Sequence, residues 1–211
     1  MAIFKLFISL LVGYILGSVN TAILVGNIFG VNIKKKGSGN GGLTNALRVL
    51  GAKGGVLVLL GDVLKGVLAC LFGYLLTKGE FGSERFIDLE NASLGALMAG
   101  MSCIFGHIFP IFYQFKGGKG VLTTVTVIFV MDYRIAAILL CIFIIMLLIS
   151  RYVSLGSMIA AASFPAVSLI FEKPGFFVLY SFVIAATIII AHRKNIGRLI
   201  NGSEPKLKMN G

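Results

Sequence analysis

Apolar residues run along the chain in seven blocks, 3–29, 56–77, 92–115, 121–131, 135–149, 153–171 and 176–191, with short polar segments between them. A helix that crosses hydrocarbon needs about 20 residues, with a lower bound near 17, because each residue rises about 1.5 Å. Most blocks reach or approach that length. The pattern predicts an all-α membrane protein, a bundle of about seven transmembrane helices, with residues 1–201 as a single transmembrane domain and 202–211 as a short tail. The first block carries one early cation and is too long for a secretory h-region, so it reads as a retained helix. Its Gly13 and Gly17 share a face and predict close packing against a neighbouring helix. The block 121–131 is too short to span alone. Its helix either takes in the glycine-rich stretch before it or starts below the membrane surface, inside protein or beside a wet cavity.

Composition agrees with this pattern: 57% of residues are hydrophobic and 13% charged, against roughly 25% charged in soluble domains, and the mean hydropathy is +0.97. Cys70, Cys103 and Cys141 fall in different blocks without CxxC spacing, which suggests packing residues rather than a metal site or a disulfide framework.

Charge supplies an orientation, since Lys and Arg near span ends stay on the cytoplasmic side. Seven spans put the termini on opposite sides. One side then collects Lys34, Lys35, Lys36, Arg48, Lys53, Lys116, Lys119, Arg151, Arg193, Lys194, Arg198, Lys206 and Lys208 against the single carboxylate Glu204. The other holds Lys5, Lys78, Arg85, Arg134 and Lys173 against Glu80, Glu84, Asp88, Glu90, Asp132 and Glu172. The basic side is cytoplasmic on this reading, with the N-terminus outside and the C-terminus inside. Asp62 and Lys65 remain within the second block. Each costs about 2.5–3.5 kcal/mol unpaired at the bilayer centre, so pairing or function is expected of them.

Positive-inside flanking and attraction to anionic lipid explain basic loops by themselves. They do not explain why the same loops gather glycines, hydroxyls, amides and both histidines. The first cytoplasmic loop reads Gly37-Ser38-Gly39-Asn40-Gly41-Gly42-Leu43-Thr44-Asn45-Ala46-Leu47-Arg48. Its glycines permit positive φ and an anion-binding nest, Ser38, Thr44 or Asn45 can cap the helix that follows, and Arg48 offers a bidentate phosphate partner. A P-loop is excluded because Leu43 stands at the lysine position. The second loop carries His107 in Gly106-His107-Ile108-Phe109-Pro110, then Lys116-Gly117-Gly118-Lys119-Gly120. With these glycines as the start of the short helix, its N–H groups and positive dipole end face an anion site. His107 reads either as a capped helix end or as a catalytic group. The last segment, His192-Arg193-Lys194-Asn195-Ile196-Gly197-Arg198, puts His192, Asn195 and Arg198 on one helical stripe. Ser154, in the remaining turn, is a further ligand candidate.

These three loops, in this order, resemble the signature motifs of the bacterial integral-membrane acyl-phosphate:glycerol-3-phosphate acyltransferases, and the likeness covers nearly the whole chain. It implies seven helices in the bacterial inner or plasma membrane and an active site facing the cytosol. It also implies transfer of a fatty acyl group from acyl phosphate to the 1-hydroxyl of glycerol-3-phosphate, giving lysophosphatidate and inorganic phosphate at the first step of phospholipid synthesis. Gly41, Leu43, Leu122 and Lys194 depart from the residues common at those positions.

Two phosphates must be held in such a reaction, which suits a site of Arg, Lys and backbone donors. Ser38, Arg48, Lys119 and His192 are the expected catalytic residues. Gly37, Gly39, Asn40, Thr44, Asn45, His107, Lys116, Gly117, Gly118, Gly120, Ser154, Asn195 and Arg198 are the expected substrate contacts. The partners implied are the two substrates and the lipid bilayer, with no metal, cofactor or nucleic acid. His-x4-Asp is absent, since Phe112 and Gly197 occupy the fifth positions after the two histidines. Either His192 or a substrate phosphate oxygen then accepts the hydroxyl proton. The rival readings are a small anion or phosphate transporter, which would carry polar residues through the membrane, and a CDP-alcohol phosphotransferase-like enzyme, which needs metal-holding carboxylates.

Overall fold

A computed structural model describes residues 1–81 and 93–207. Glu84, Arg85, Asp88, Glu90 and Lys208, which enter the charge count above, lie outside the described residues. Among the described residues the regular structure is entirely helical. In chain order these are α1 (Ala2–Ser18), α2 (Thr21–Ile28), α3 (Leu43–Thr77), α4 (Leu94–Ile108), α5 (Val121–Met131), α6 (Tyr133–Ser150), α7 (Val153–Ile170), α8 (Gly175–Ala191) and α9 (Arg193–Ile200). Five segments are long and apolar enough to cross a membrane: Ala2–Ile28, Leu43–Thr77, Leu94–Tyr113, Tyr133–Ser150 and Val153–Ile170. A sixth arises when α8 and α9, bent by 57° at their junction, count as one. The chain is a multi-pass membrane protein with five or six such spans among the described residues, where α5, at 11 residues, is an apolar helix below the length limit.

Two compact units divide the described chain, Met1–Met131 and Asp132–Gly211. In the first, α1 packs on α4 and α3, and α3 on α4 and α5. The crossing of α1 with α4 depends on the two glycines singled out in the sequence. A Cβ on Gly13 would overlap the backbone of Ala99, and one on Gly17 the backbone of Cys103, so the two helices approach until main chains touch, the usual gain from small residues in lipid. The outward faces are apolar. On α3, Val56, Leu60, Leu64, Leu68 and Leu75 are exposed, whereas Asp62, Lys65 and Gly66 are buried, the arrangement a helix adopts when its surroundings are hydrocarbon.

Two breaks shape the end of this unit that carries the loops. The first apolar block is interrupted at Val19 and Asn20. The Asn20 side chain accepts from the Ile23 N–H and caps α2, while the orphaned carbonyls of Gly17 and Val19 accept from the Lys65 ammonium. The second break is at Gly51, whose φ of 70° and ψ of −171° lie outside the helical region and kink α3 between its first two turns and its membrane stretch. Thr44 to Arg48 are therefore helical. Beneath them Ala22, Val25, Ile33, Ala46 and Val58 form a buried apolar cluster that seats the glycine loop on α2 and α3.

In the second unit α7 packs on α6 and α8, around Phe164, Phe177 and Tyr180, whose ring centroids lie 5.9 Å apart. Asp132 caps α6 and binds Arg134 at 2.8 Å and Lys173 at 2.7 Å. Burial raises its pKa, but the hydrogen bonds and charge of Arg134 and Lys173 outweigh that and hold it near 2. Of the three cysteines, Cys70 and Cys103 are buried as expected of packing residues. Cys141 is exposed on α6, a correction to that expectation.

Candidate active site

Each unit carries one histidine, His107 in the first and His192 in the second. In the first unit the loop before α3 is held by Asn45. Its Oδ1 accepts from the Ser38 N–H at 2.8 Å, and its Nδ2 donates to the carbonyls of Ile33 and Lys36, both at 3.2 Å. Those bonds fix the turn in which Gly37 and Gly39 take φ of 59° and 68°. The expected side-chain cap is corrected here: α3 starts at Leu43 with Gly42 as its N-cap, and none of Ser38, Thr44 or Asn45 caps it. The Asn45 amide is engaged by the loop backbone, which keeps it from the cap position. Ser38, Thr44 and Arg48 are exposed and Asn40 is partly so.

The second loop folds against the first. Gly118 lies in a cradle where a Cβ would strike the His107 Nε2 and the Gly41 carbonyl oxygen, so only a glycine brings both loops and the imidazole together. Asn20 Nδ2 donates to the Gly41 carbonyl at 3.1 Å, and Lys34 Nζ to the Gly117 carbonyl at 3.1 Å. Desolvation, followed by repulsion from Lys116, moves the Lys34 pKa below its ordinary value. One reading of the short helix is overturned. Gly117 to Gly120 are not its first turn, because the Gly117 and Gly118 N–H groups donate to the carbonyls of Ile108 and His107 at 3.1 and 3.0 Å. Helix α5 begins at Val121, with its first turn just beyond Gly120, so the first-turn N–H donors come from Val121 to Thr123. The hydroxyls of Thr123 and Thr124 in that turn are buried and have no partner among the described residues.

His107 is 3% exposed, and its Nδ1 lies 2.8 Å from Lys65 Nζ. Lys65 is in turn 2.8 Å from Asp62, whose Oδ1 accepts from the Thr21 hydroxyl at 2.9 Å. The two charged residues expected to pair do so, and His107 joins them.

In the second unit His192 stands at the bend between α8 and α9, 1% exposed, with Nδ1 2.8 Å from the Ile188 carbonyl. A carbonyl only accepts, so Nδ1 carries the proton and Nε2 of the neutral ring is an acceptor. Asn195 and Arg198 follow on α9, but both are engaged by Glu204, as is Ser154 on α7. Ser154 Oγ and Asn195 Nδ2 each donate to Glu204 Oε1 at 2.6 Å, and Arg198 Nε donates to Oε2 at 2.6 Å. Burial of that carboxyl raises its pKa, but these three hydrogen bonds and the charge of Arg198 outweigh it and leave the pKa below the ordinary glutamate value. Glu204 is thus no tail residue by its contacts. In the sequence Glu204 and Lys34 stand out only as charges, and Asn20, Thr123 and Thr124 do not stand out as site residues. A lone carboxylate on a side with thirteen cations was the available signal for Glu204.

The model of a protein family described as glycerol-3-phosphate acyltransferase matches residues 7–202 of the chain. The chain belongs to the glycerol-3-phosphate acyltransferase family. Relatives include glycerol-3-phosphate acyltransferase 2 of Bacillus anthracis, 39% identical over 95% of this chain and 98% of that protein, and glycerol-3-phosphate acyltransferase 2 of Moorella thermoacetica, 39% identical over 95% and 96%. Among solved structures, the crystal structure of PlsY (YgiH), an integral membrane glycerol 3-phosphate acyltransferase, in its glycerol 3-phosphate form matches with a TM-score of 0.82 and 33% identity over 98% of this chain and 96% of that one. For this acyltransferase family member, the glycine loops, His107 and His192 are candidate site groups, and the membership assigns acyltransferase chemistry in place of transport.

Proposed function

We propose that the protein transfers a fatty acyl group from acyl phosphate to the 1-hydroxyl of glycerol-3-phosphate, at the cytoplasmic face of a bacterial membrane, releasing lysophosphatidate and inorganic phosphate. The observation that carries this reading is the pairing of the two glycine loops around His107. Lys34, Lys35, Lys36, Arg48, Lys116 and Lys119 surround that point in sequence, and neither loop holds a carboxylate. A site so rich in cations and backbone donors suits substrates that both bear phosphate. Ser38, Arg48 and Lys119 are assigned to those phosphates, and His192 to a hydroxyl of glycerol-3-phosphate.

The hydroxyl oxygen attacks the acyl carbon, the new ester C–O bond forms, and the bond from the acyl carbon to the phosphate oxygen breaks. Donors at the carbonyl stabilise the charge that develops there. The hydroxyl proton ends on the departing phosphate, which is itself a competent acceptor in a donor as reactive as a mixed anhydride. His192 supports the reaction by accepting a hydrogen bond at Nε2 from a hydroxyl of glycerol-3-phosphate, which positions that substrate. We assign the basic loops to the cytoplasm because lysine and arginine concentrate there, and glycerol-3-phosphate then arrives from the aqueous side while the acyl donor comes from the bilayer.

The test is direct. Purified protein is mixed with glycerol-3-phosphate and either palmitoyl phosphate or palmitoyl-CoA, and lysophosphatidate and inorganic phosphate are measured. Lysophosphatidate with equimolar phosphate from palmitoyl phosphate is expected. Product from palmitoyl-CoA alone would reject the donor, and no product from either would reject the function.

A further inference from the structure

The ion pair inside α3 has no part in the chemistry above. Asp62 and Lys65 are 1% and 6% exposed, and a buried pair returns its desolvation cost only when further hydrogen bonds use both charges. Here they do. Lys65 Nζ lies 2.8 Å from Asp62 Oδ1, 2.8 Å from His107 Nδ1, 3.1 Å from the Val19 carbonyl and 3.4 Å from that of Gly17.

An ammonium has three protons and no lone pair. Beside a carboxylate it stays charged, with one proton going to Asp62, one shared between the two carbonyls at the end of α1, and one to Nδ1 of the imidazole. Nδ1 must therefore accept. It stands 3.6 Å from Asp62 Oδ1, beyond hydrogen-bond reach, whereas the Lys65 ammonium lies within it at 2.8 Å. A neutral imidazole that accepts at Nδ1 carries its proton on Nε2. That atom faces Gly118, where the two loops meet.

We infer that Lys65 is a positioning residue which fixes His107 as its Nε2–H tautomer, so that His107 donates a hydrogen bond to an anionic oxygen of a substrate held over Gly118. Asp62 acts one step further back, by keeping Lys65 charged. His107 is then a donor and never the base. The substrate in this statement rests on the acyltransferase reading, whereas the tautomer rests on the geometry of Lys65 alone.

The test uses the full chain in detergent micelles with 15N-labelled histidine. Long-range proton–nitrogen spectra, with the His107 signals assigned from His107→Gln, are expected to show an unprotonated Nδ1 and a protonated Nε2. The double variant Asp62→Asn/Lys65→Met removes both charges together and leaves none unpaired. In it the His107 signals should move toward a mixture of tautomers and kcat/KM should fall about 10- to 100-fold, the loss of one hydrogen bond to a charged group. His107→Gln places an amide nitrogen where Nε2 stood and should stay within about fivefold of the parent, whereas His107→Asn, whose nitrogen matches Nδ1, should fall as far as His107→Ala. A protonated Nδ1 in the parent, an unchanged tautomer in a folded double variant, or a folded His107→Gln as slow as His107→Ala would each overturn the inference. The spectrum and the Gln and Asn pair need no fold in the double variant. A parent that makes no lysophosphatidate from either donor sinks the function while the spectrum still decides the tautomer.

Discussion

His107 and His192 are both buried at a helix end, yet their Nδ1 atoms meet opposite partners. At His107 the partner is an ammonium, which can only donate. At His192 it is the Ile188 carbonyl, which can only accept. One ring therefore presents a proton at Nε2 and the other a lone pair. Two residues of the same type, alike in burial, are given different chemistry by a single neighbour each. A histidine on a basic loop thus says little about its role until the atom behind its ring is known.

The largest effect is expected where the ammonium side of this contrast loses its counter-charge. Asp62→Asn leaves Lys65 buried without a carboxylate, and breaking a buried pair on one side costs about 3–5 kcal/mol. Thermal unfolding in detergent should show that loss, and restoring neutrality with Lys65→Met in the same chain should recover most of it. A single variant as stable as the parent would mean that Lys65 sheds its proton without cost and does not hold His107 as a cation.

On the acceptor side, His192→Ala should lower kcat/KM about tenfold, the size of a lost hydrogen bond to a substrate hydroxyl. With the departing phosphate as proton acceptor, the loss appears as a raised KM for glycerol-3-phosphate. A loss confined to kcat would make the Nε2 lone pair of His192 the base and would sharpen the contrast between the two rings into a division of labour.

Gly118→Ala tests the contact between His107 and the loops. The new methyl would meet Nε2 and the Gly41 carbonyl oxygen, so the ring must turn or the loop must lift. We expect kcat/KM to fall about tenfold, with the helical content by circular dichroism unchanged. Gly197→Ala, where a Cβ meets nothing within 4 Å, serves as the matched control in the second unit.

Much of this architecture is written in short-range pattern. Apolar blocks mark the helices because hydrocarbon demands continuous runs, and Gly13 and Gly17 mark the α1 and α4 contact because only small residues let main chains meet. The pairing of Asp62 with Lys65 is visible for the same reason, since three residues apart on a helix is a contact. What sequence could not show is long-range. Lys65 reaches His107 across 42 positions and Glu204 reaches Ser154 across 50, and no periodicity encodes either distance. The glycines before α5 do not open it, because Gly117 and Gly118 bond back to α4, a tertiary choice that overrides the local one. The break at Val19 and Asn20 is hidden within one apolar block, since Asn20 caps α2 locally but the ammonium that satisfies the carbonyls before it comes from α3.

The smallest effect tests the second unit's own anchor. Glu204 binds Ser154, Asn195 and Arg198 at 2.6 Å each, and through Asn195 it steadies the helix that begins just after His192. Glu204→Gln keeps the shape but removes the charge, at a cost of about 1 kcal/mol for the weakened bonds, which lowers the melting temperature by roughly 2–4 °C in a chain of this size. Its pH dependence has a definite sign. The folded-state pKa of Glu204 lies below its unfolded value, so the stabilisation is fully present above the ordinary glutamate range and is lost as pH falls through that range toward the folded value. The gap in melting temperature between parent and variant should therefore be constant near neutrality and close on acidification. A gap that persists in acid would mean that the shape of the side chain, and not its charge, holds α9 in place. The carboxylate's influence on His192 would then be steric, unlike the electrostatic control that Lys65 exerts on His107.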